Sequence, residues 1–86
     1  MDKLLKFPSS FTIKIMGTNH IDLVPEVCAI VASHSDTFNP EADIATKQST
    51  KGNYLSISAT ITATSQQQLD NIYTELNKHA LVKVTL

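Results

Sequence analysis

The chain has no arginine: all seven of its basic residues are lysines, against eight acids, for a net charge of −1. Arginine supplies the planar, bidentate fork that reads phosphate and guanine. Without it, and without a strong positive field, nucleic-acid recognition is disfavoured and only point contacts from lysine remain. Cysteine is nearly missing too. Cys28 stands alone, so no disulfide can form within the chain, and the composition fits a reducing cytosol. No apolar run approaches the ~18 residues of a membrane span. The N-terminal "MDKLLKFPSSF" is charged and interrupted by Pro8, so it lacks the apolar stretch of a signal peptide. These absences lead to the expectation of a soluble cytoplasmic protein. No internal repeat or linker is visible. At 86 residues, 42% of them hydrophobic, the chain is expected to form one domain over residues 1–86. Its core should be modest, with residues 1–10 as a short lead segment.

What is present is patterned with two periods. "NYLSISATITATS", Asn53 to Ser65, sets Leu55, Ile57, Ala59, Ile61 and Ala63 on one parity. Tyr54, Ser56, Ser58, Thr60 and Thr62 take the other. That is a half-buried strand of about eleven residues, longer than the usual ~5–6, and so expected at the sheet centre. "FTIKIM", Phe11 to Met16, alternates in the same way, and Gly17 is expected to end it. A short edge-type strand is expected over Ala42 to Gln48, joined to the long strand by the turn "STKGN". Val82 to Leu86 closes the chain as a last strand, with Val82, Val84 and Leu86 on one face. Between these lie two stripes of helical period. Ile21, Val24, Cys28 and Val31, widened by Val27 and Ile30, predict a helix starting between His20 and Asp22. Pro25 then falls in its first turn, the only comfortable place for it. Leu69, Ile72, Tyr73 and Leu76 predict a second helix, opened by the capping spacing Ser65-x-x-Gln68.

The order β-α-β-β-α-β is the split βαβ of ferredoxin-like folds. It predicts an α+β two-layer sandwich, with antiparallel sheet order 4-1-3-2 and both helices on one face. Phe11/Ile13/Ile15, Leu55/Ile57/Ala59/Ile61 and Val82/Val84/Leu86 should face the helices. Thr12, Lys14, Met16, Ser56, Ser58, Thr60, Thr62, Lys83 and Thr85 should form a polar open face.

"LLKFPSSFTIKIMG", the hairpin Ser49-Thr50-Lys51-Gly52-Asn53-Tyr54 with the strand after it, and the closing "LVKVTL" resemble the YbeD-like family of small bacterial proteins. The likeness runs over nearly the whole chain. It implies a ferredoxin-like fold similar to the ACT regulatory domain, and a regulatory role linked to lipoate through gene neighbourhood. The chain departs from the family in the first helix, where "HIDLVPEV" carries Pro25. In ACT-like domains a small residue after the first strand lets a ligand approach the helix N-terminus. The resemblance therefore makes Gly17, with Thr18, Asn19 and His20, the candidate site for a small carboxylate such as lipoate.

The remaining chemistry-bearing residues read as structural. Cys28 lies on an apolar stripe, where a thiolate is disfavoured. His20 and His34 bracket the first helix, about 20 Å apart at 1.5 Å per residue, too far to share an ion. His79 has no neighbours at ligand spacing, so neither metal nor cofactor is expected. Asp22 and Glu26 suit the first turn of a helix better than acid–base work. No constellation supports an enzyme. An RNA-binding reading of the fold fails because the outward positions Thr12, Lys14, Ser56, Ser58 and Thr60 offer no stacking aromatic. Two function classes stand: a non-enzymatic ligand-sensing regulator, and an adaptor binding protein through the polar sheet face and the hairpin Lys51, Gly52, Asn53 and Tyr54. Self-association through an edge strand, or through the alanine-bearing side of the first helix, stays open.

Overall fold

The structure, a computed structural model, describes residues 6–86. Its elements are β1 (Ser9–Thr18), α1 (Leu23–His34), β2 (Ile44–Gln48), β3 (Tyr54–Ala63), α2 (Gln66–Lys78) and β4 (Val82–Thr85). The strands form one antiparallel sheet in the order β2-β3-β1-β4. This is the expected 4-1-3-2 order, and it leaves β2 and β4 as the edges. β1 and β3 pair along their whole lengths, from Ser9↔Ala63 to Thr18↔Tyr54. The lead segment expected over residues 1–10 lies partly outside the described residues. Within them Phe7 packs against the core, and Ser9 already belongs to β1.

The core forms where the two periods meet. Ile13, Ile15, Ile57, Ala59 and Ile61 alternate inward from the central strands, and Leu23, Val27, Val31, Leu69, Ile72 and Leu76 meet them from the helices. β-branched Ile and Thr suit the pleated surface of β3. α2 starts where Ser65 caps it: the Ser65 hydroxyl accepts the Gln68 N–H at 3.0 Å. The Gln68 side chain accepts the Thr64 N–H at 2.8 Å and donates to the His34 carbonyl, also at 2.8 Å. One side chain therefore fixes the start of α2 against the end of α1.

Several boundaries differ from the sequence expectation. Gly17 does not end β1. It is buried within the strand, opposite Leu55 and Val82. A Cβ there would stand 2.5 Å from the Leu81 carbonyl oxygen and 2.7 Å from Leu23 Cδ1. The glycine is thus the place where β4 and α1 close on β1. α1 begins at Leu23 with Asp22 at the cap position, and it runs on to His34. Pro25 does sit in the first turn. Ile21 precedes the helix and is 87% exposed, and Leu23 takes the core place expected for it. β2 starts at Ile44 rather than Ala42. Inside the loop before it, Phe38 turns back into the core.

The largest departure is in β4. Ile15 pairs with Thr85 and Met16 with Val84, but Gly17 pairs with Val82, so Lys83 is an extra residue in a β-bulge. A bulge shifts side-chain parity by one residue. Val82 points inward and is buried, as expected. Val84 and Leu86, expected inward beside it, emerge on the open face, 46% and 77% exposed. Two ties hold this register from the helix side. The Thr85 hydroxyl donates to Asn77 Oδ1 at 3.1 Å, and the Tyr73 hydroxyl donates to the Leu86 carbonyl at 3.1 Å. The inner position opposite Ile15 therefore goes to a threonine that can reach a partner on α2.

Candidate binding site

The bulge remakes the open face of the sheet. Side chains on that face stand in rows across the strands, set by the pairing register. One row runs Lys47, Ser56, Met16, Val84, and the next runs Ala45, Ser58, Lys14, Leu86. Leu86 is held there by a two-way backbone bond with Lys14: its N–H donates at 2.7 Å and its carbonyl accepts at 3.2 Å. Beyond these rows the face is hydroxylic, with the Thr12 and Thr60 hydroxyls bonded to each other at 3.1 Å. Tyr54 stands at the opposite end, beside Thr18.

Among the described residues, five large apolar side chains are exposed: Met16, Ile21, Tyr54, Val84 and Leu86. All but Ile21 lie on the open sheet face, which is therefore polar only in part. Beside Met16, Val84 and Leu86 runs a groove of about 350 Å³ that reaches from Ala45 and Lys47 on β2, past Lys14, Ser56 and Ser58, to Val84 on β4 and Leu86 just after it. Its volume falls in the range of ligand pockets, but it lies open along the sheet rather than enclosed. A shallower depression of about 280 Å³ adjoins it, between Asp43 and Thr60.

Charge is segregated between the layers. The four strands carry Lys14, Lys47 and Lys83 and no acid. The acidic side chains of the described residues belong to the helices, the α1 cap and the α1–β2 loop. Asp43 lines the depression at the hydroxylic end of this face, and its Oδ2 accepts the Asn39 N–H at 2.9 Å. A chain with almost no net charge thus presents a locally basic, partly apolar face.

The two candidate clusters named from the sequence, 17–20 and 51–54, meet at one corner. The Asn19 N–H donates to the Asn53 carbonyl at 3.0 Å, and the Asn19 side-chain amide donates to the Gly52 carbonyl at 2.8 Å. The hairpin between β2 and β3 is closed by the Tyr54 N–H donating to Ser49 Oγ at 3.0 Å, with Gly52 at a positive φ of 77°. Asn19, Lys51 and Asn53 are exposed. The space over Gly17 is filled by Leu23 and the Leu81 carbonyl. His20 turns onto its own loop, its Nδ1 accepting the Asp22 N–H at 3.0 Å. Of the eight residues, Tyr54 and Thr18 adjoin the groove.

Among the residues that sequence reasoning left out of the site are Ala45, Thr46, Lys47, Val84 and Leu86. For Val84 and Leu86, the one available signal was Met16, a large apolar residue on a parity that otherwise reads polar.

The histidines pair with carboxylates on the helical side. His34 on α1 bonds Glu75 on α2, and His79 lies 3.3 Å from Glu26. Both contacts fasten the helices together, far from the groove. Cys28 is half-buried on α1, and burial pushes its thiol pKa up, away from a reactive thiolate. Among the described residues no three of His, Cys, Asp or Glu gather to hold a metal ion. No helix among them is long and apolar enough to cross a membrane.

A family model described as a protein of unknown function (DUF493) matches residues 2–86. The chain is 42% identical over 85 residues to a UPF0250 protein of Janthinobacterium sp. (strain Marseille), covering 99% of this chain and 92% of the relative. It is 39% identical over 84 residues to a UPF0250 protein of Chromobacterium violaceum, covering 98% and 93%. A UPF0250 protein of Serratia proteamaculans is 41% identical over 87 residues, covering 100% and 95%. The chain belongs to this family of small bacterial proteins, the YbeD-like family that its N-terminal segment, hairpin and last strand resemble.

Proposed function

We propose that this protein is a non-catalytic regulatory adaptor that binds a protein partner through the open face of its sheet. One observation carries the reading: four of the five exposed large apolar side chains among the described residues gather on that face. Apolar side chains scattered singly are ordinary on a protein surface, and a gathered set marks an interaction site. The groove beside this set crosses all four strands, a breadth that suits a macromolecular partner. The hairpin corner of Lys51 and Tyr54 lies at the same end. A cytoplasmic location belongs to this reading, supported by the single unpaired cysteine.

The test is capture from cytoplasmic lysate with Val84→Asp beside the parent chain. Val84 is about half exposed at a sheet edge, so the variant is expected to fold and to lose the captured partner. An unchanged capture profile from a folded variant would overturn the adaptor.

A second reading is favoured by the size of the groove and by Lys14 and Lys47 on its margin. It is a sensor for a small carboxylate with an apolar tail, such as lipoate or octanoate. A ¹H–¹⁵N correlation spectrum titrated with lipoate, octanoate and a panel of amino acids tests it. Saturable shifts at Met16, Ser56 and Val84 would favour the sensor, and a silent spectrum would remove it.

A further inference from the structure

We infer that the element docking on the open face is an amphipathic helix whose polar side is acidic. The inference rests on the adaptor reading and adds the chemistry of the partner.

The first support is the layout of the apolar residues. Tyr54 on β3, Met16 on β1 and Leu86, directly after β4, stand on adjoining tracks of the sheet, each one row further along, with Val84 beside Met16. They make a diagonal rather than a ridge along one strand. Two strand spacings of ~4.8 Å and four residues of ~3.4 Å give a run of about 17 Å. A helix rising 1.5 Å per residue covers that run in about eleven residues, or three turns. Its apolar positions at i, i+3, i+4 and i+7 form a continuous stripe to lay along the diagonal. An extended segment meets the sheet differently, adding at an edge through backbone bonds and leaving the middle of the face bare. The inner face of this sheet shows the same solution, since α1 and α2 cover it with stripes of this kind.

The second support is charge. Lys14 and Lys47 lie on one flank of the diagonal, and the strands carry no acidic side chain to pair with them. A helix with Glu or Asp beside its stripe meets them with complementary sign, which speeds encounter and fixes orientation. A second copy of this chain brings the same lysines face to face, and like charges in contact cost several kcal/mol.

The test uses the full chain, ¹⁵N-labelled, and three synthetic helical peptides as probes. The first has a leucine stripe with glutamates elsewhere, the second replaces those glutamates by lysines, and the third scrambles the first so that no stripe forms. The expected result is saturable shifts at Met16, Ser56, Ser58 and Val84 with the acidic striped peptide alone. Affinity should fall roughly tenfold or more in the Lys14→Glu/Lys47→Glu variant, whose dispersed spectrum reports its fold. It should also fall with added salt. Equal binding of the lysine peptide, or silence of the acidic one, overturns the inference. So does a concentration-dependent dimer in sedimentation that shifts the same residues, or octanoate saturating them where the acidic peptide does not. The two failures are separable. If Val84→Asp abolishes capture from lysate but Lys14→Glu/Lys47→Glu does not, the acidic helix is wrong and the adaptor stands. If neither variant changes capture, the adaptor itself is wrong.

Discussion

Ile57 and Ser58 are neighbours in the middle of β3, and they live in different solvents. Ile57 is fully buried under the helices, and Ser58 lines the groove on the open side. The inner face is filled by a continuous cluster from all four central and helical stripes. The outer face has the same backbone and twist, but its side chains contribute little to folding. They are free to vary in chemistry, which is why lysines, serines and exposed apolar residues collect there. Stability is written on one face, and the proposed recognition belongs to the other.

Substitutions can break this contrast if it is wrong. Ile57→Ala opens a cavity in the core and should lower the unfolding free energy by about 2–5 kcal/mol in urea denaturation. Ser58→Ala, next in sequence, should stay within ~0.5 kcal/mol. Gly17→Ala should follow Ile57→Ala in size, at about 1–3 kcal/mol. Its methyl group meets Leu23 and the Leu81 carbonyl oxygen, and that carbonyl is held as acceptor of the Thr18 N–H at 2.9 Å. Little cost there would mean that β4 does not close on β1 as described.

The contrast is sharpest within β4. Val82→Ala removes two buried methyl groups and should cost about 1.5 kcal/mol. Val84→Ala, two residues on, should cost under ~0.5 kcal/mol because the bulge turns it outward. Equal costs would argue for an unbulged strand. A smaller loss than that of Val82→Ala concerns the tie that holds this register. Tyr73→Phe loses the hydrogen bond to the Leu86 carbonyl, about 0.5–1 kcal/mol for a bond of this kind. Burial raises the Tyr73 pKa above its ordinary 10.0. The folded state thus favours the protonated phenol, so its contribution is whole below pH about 10 and is lost as pH rises through the raised value. Cys28, also raised by burial, from 9.0, adds a fall of the same sign that begins at lower pH. Chemical denaturation between neutral and alkaline pH should show a shallower decline for Tyr73→Phe than for the parent chain.

Much of the fold is legible in the sequence because its two periods are clean. The alternation of β3, the α2 stripe behind Ser65, and the β-α-β-β-α-β order lead directly to the observed sheet. The start of α1 was less legible, since Ile21 and Leu23 both fit a helical stripe. Only the close approach to Gly17 selects Leu23 for the core. Phe38 was hidden in a stretch whose polar composition reads as loop. The site was legible only in part. Lys14, Met16, Ser56 and Ser58 fall on the outward parity, and Tyr54 was already named in the hairpin.

The sequence by itself determined the elements, their order, the central place of β3 and the inner face of β1 and β3. These follow from local periodicity, which each segment carries on its own. Only the tertiary structure decided which side Val84 and Leu86 would take. Alternation says that residues 82, 84 and 86 share a parity, but it cannot announce a bulge. The bulge at Lys83 depends on Gly17, Asn77 and Tyr73, which meet β4 only after the sheet and α2 have assembled. Long-range register therefore turned an apolar pair that the sequence assigns to the core onto the open face of the sheet.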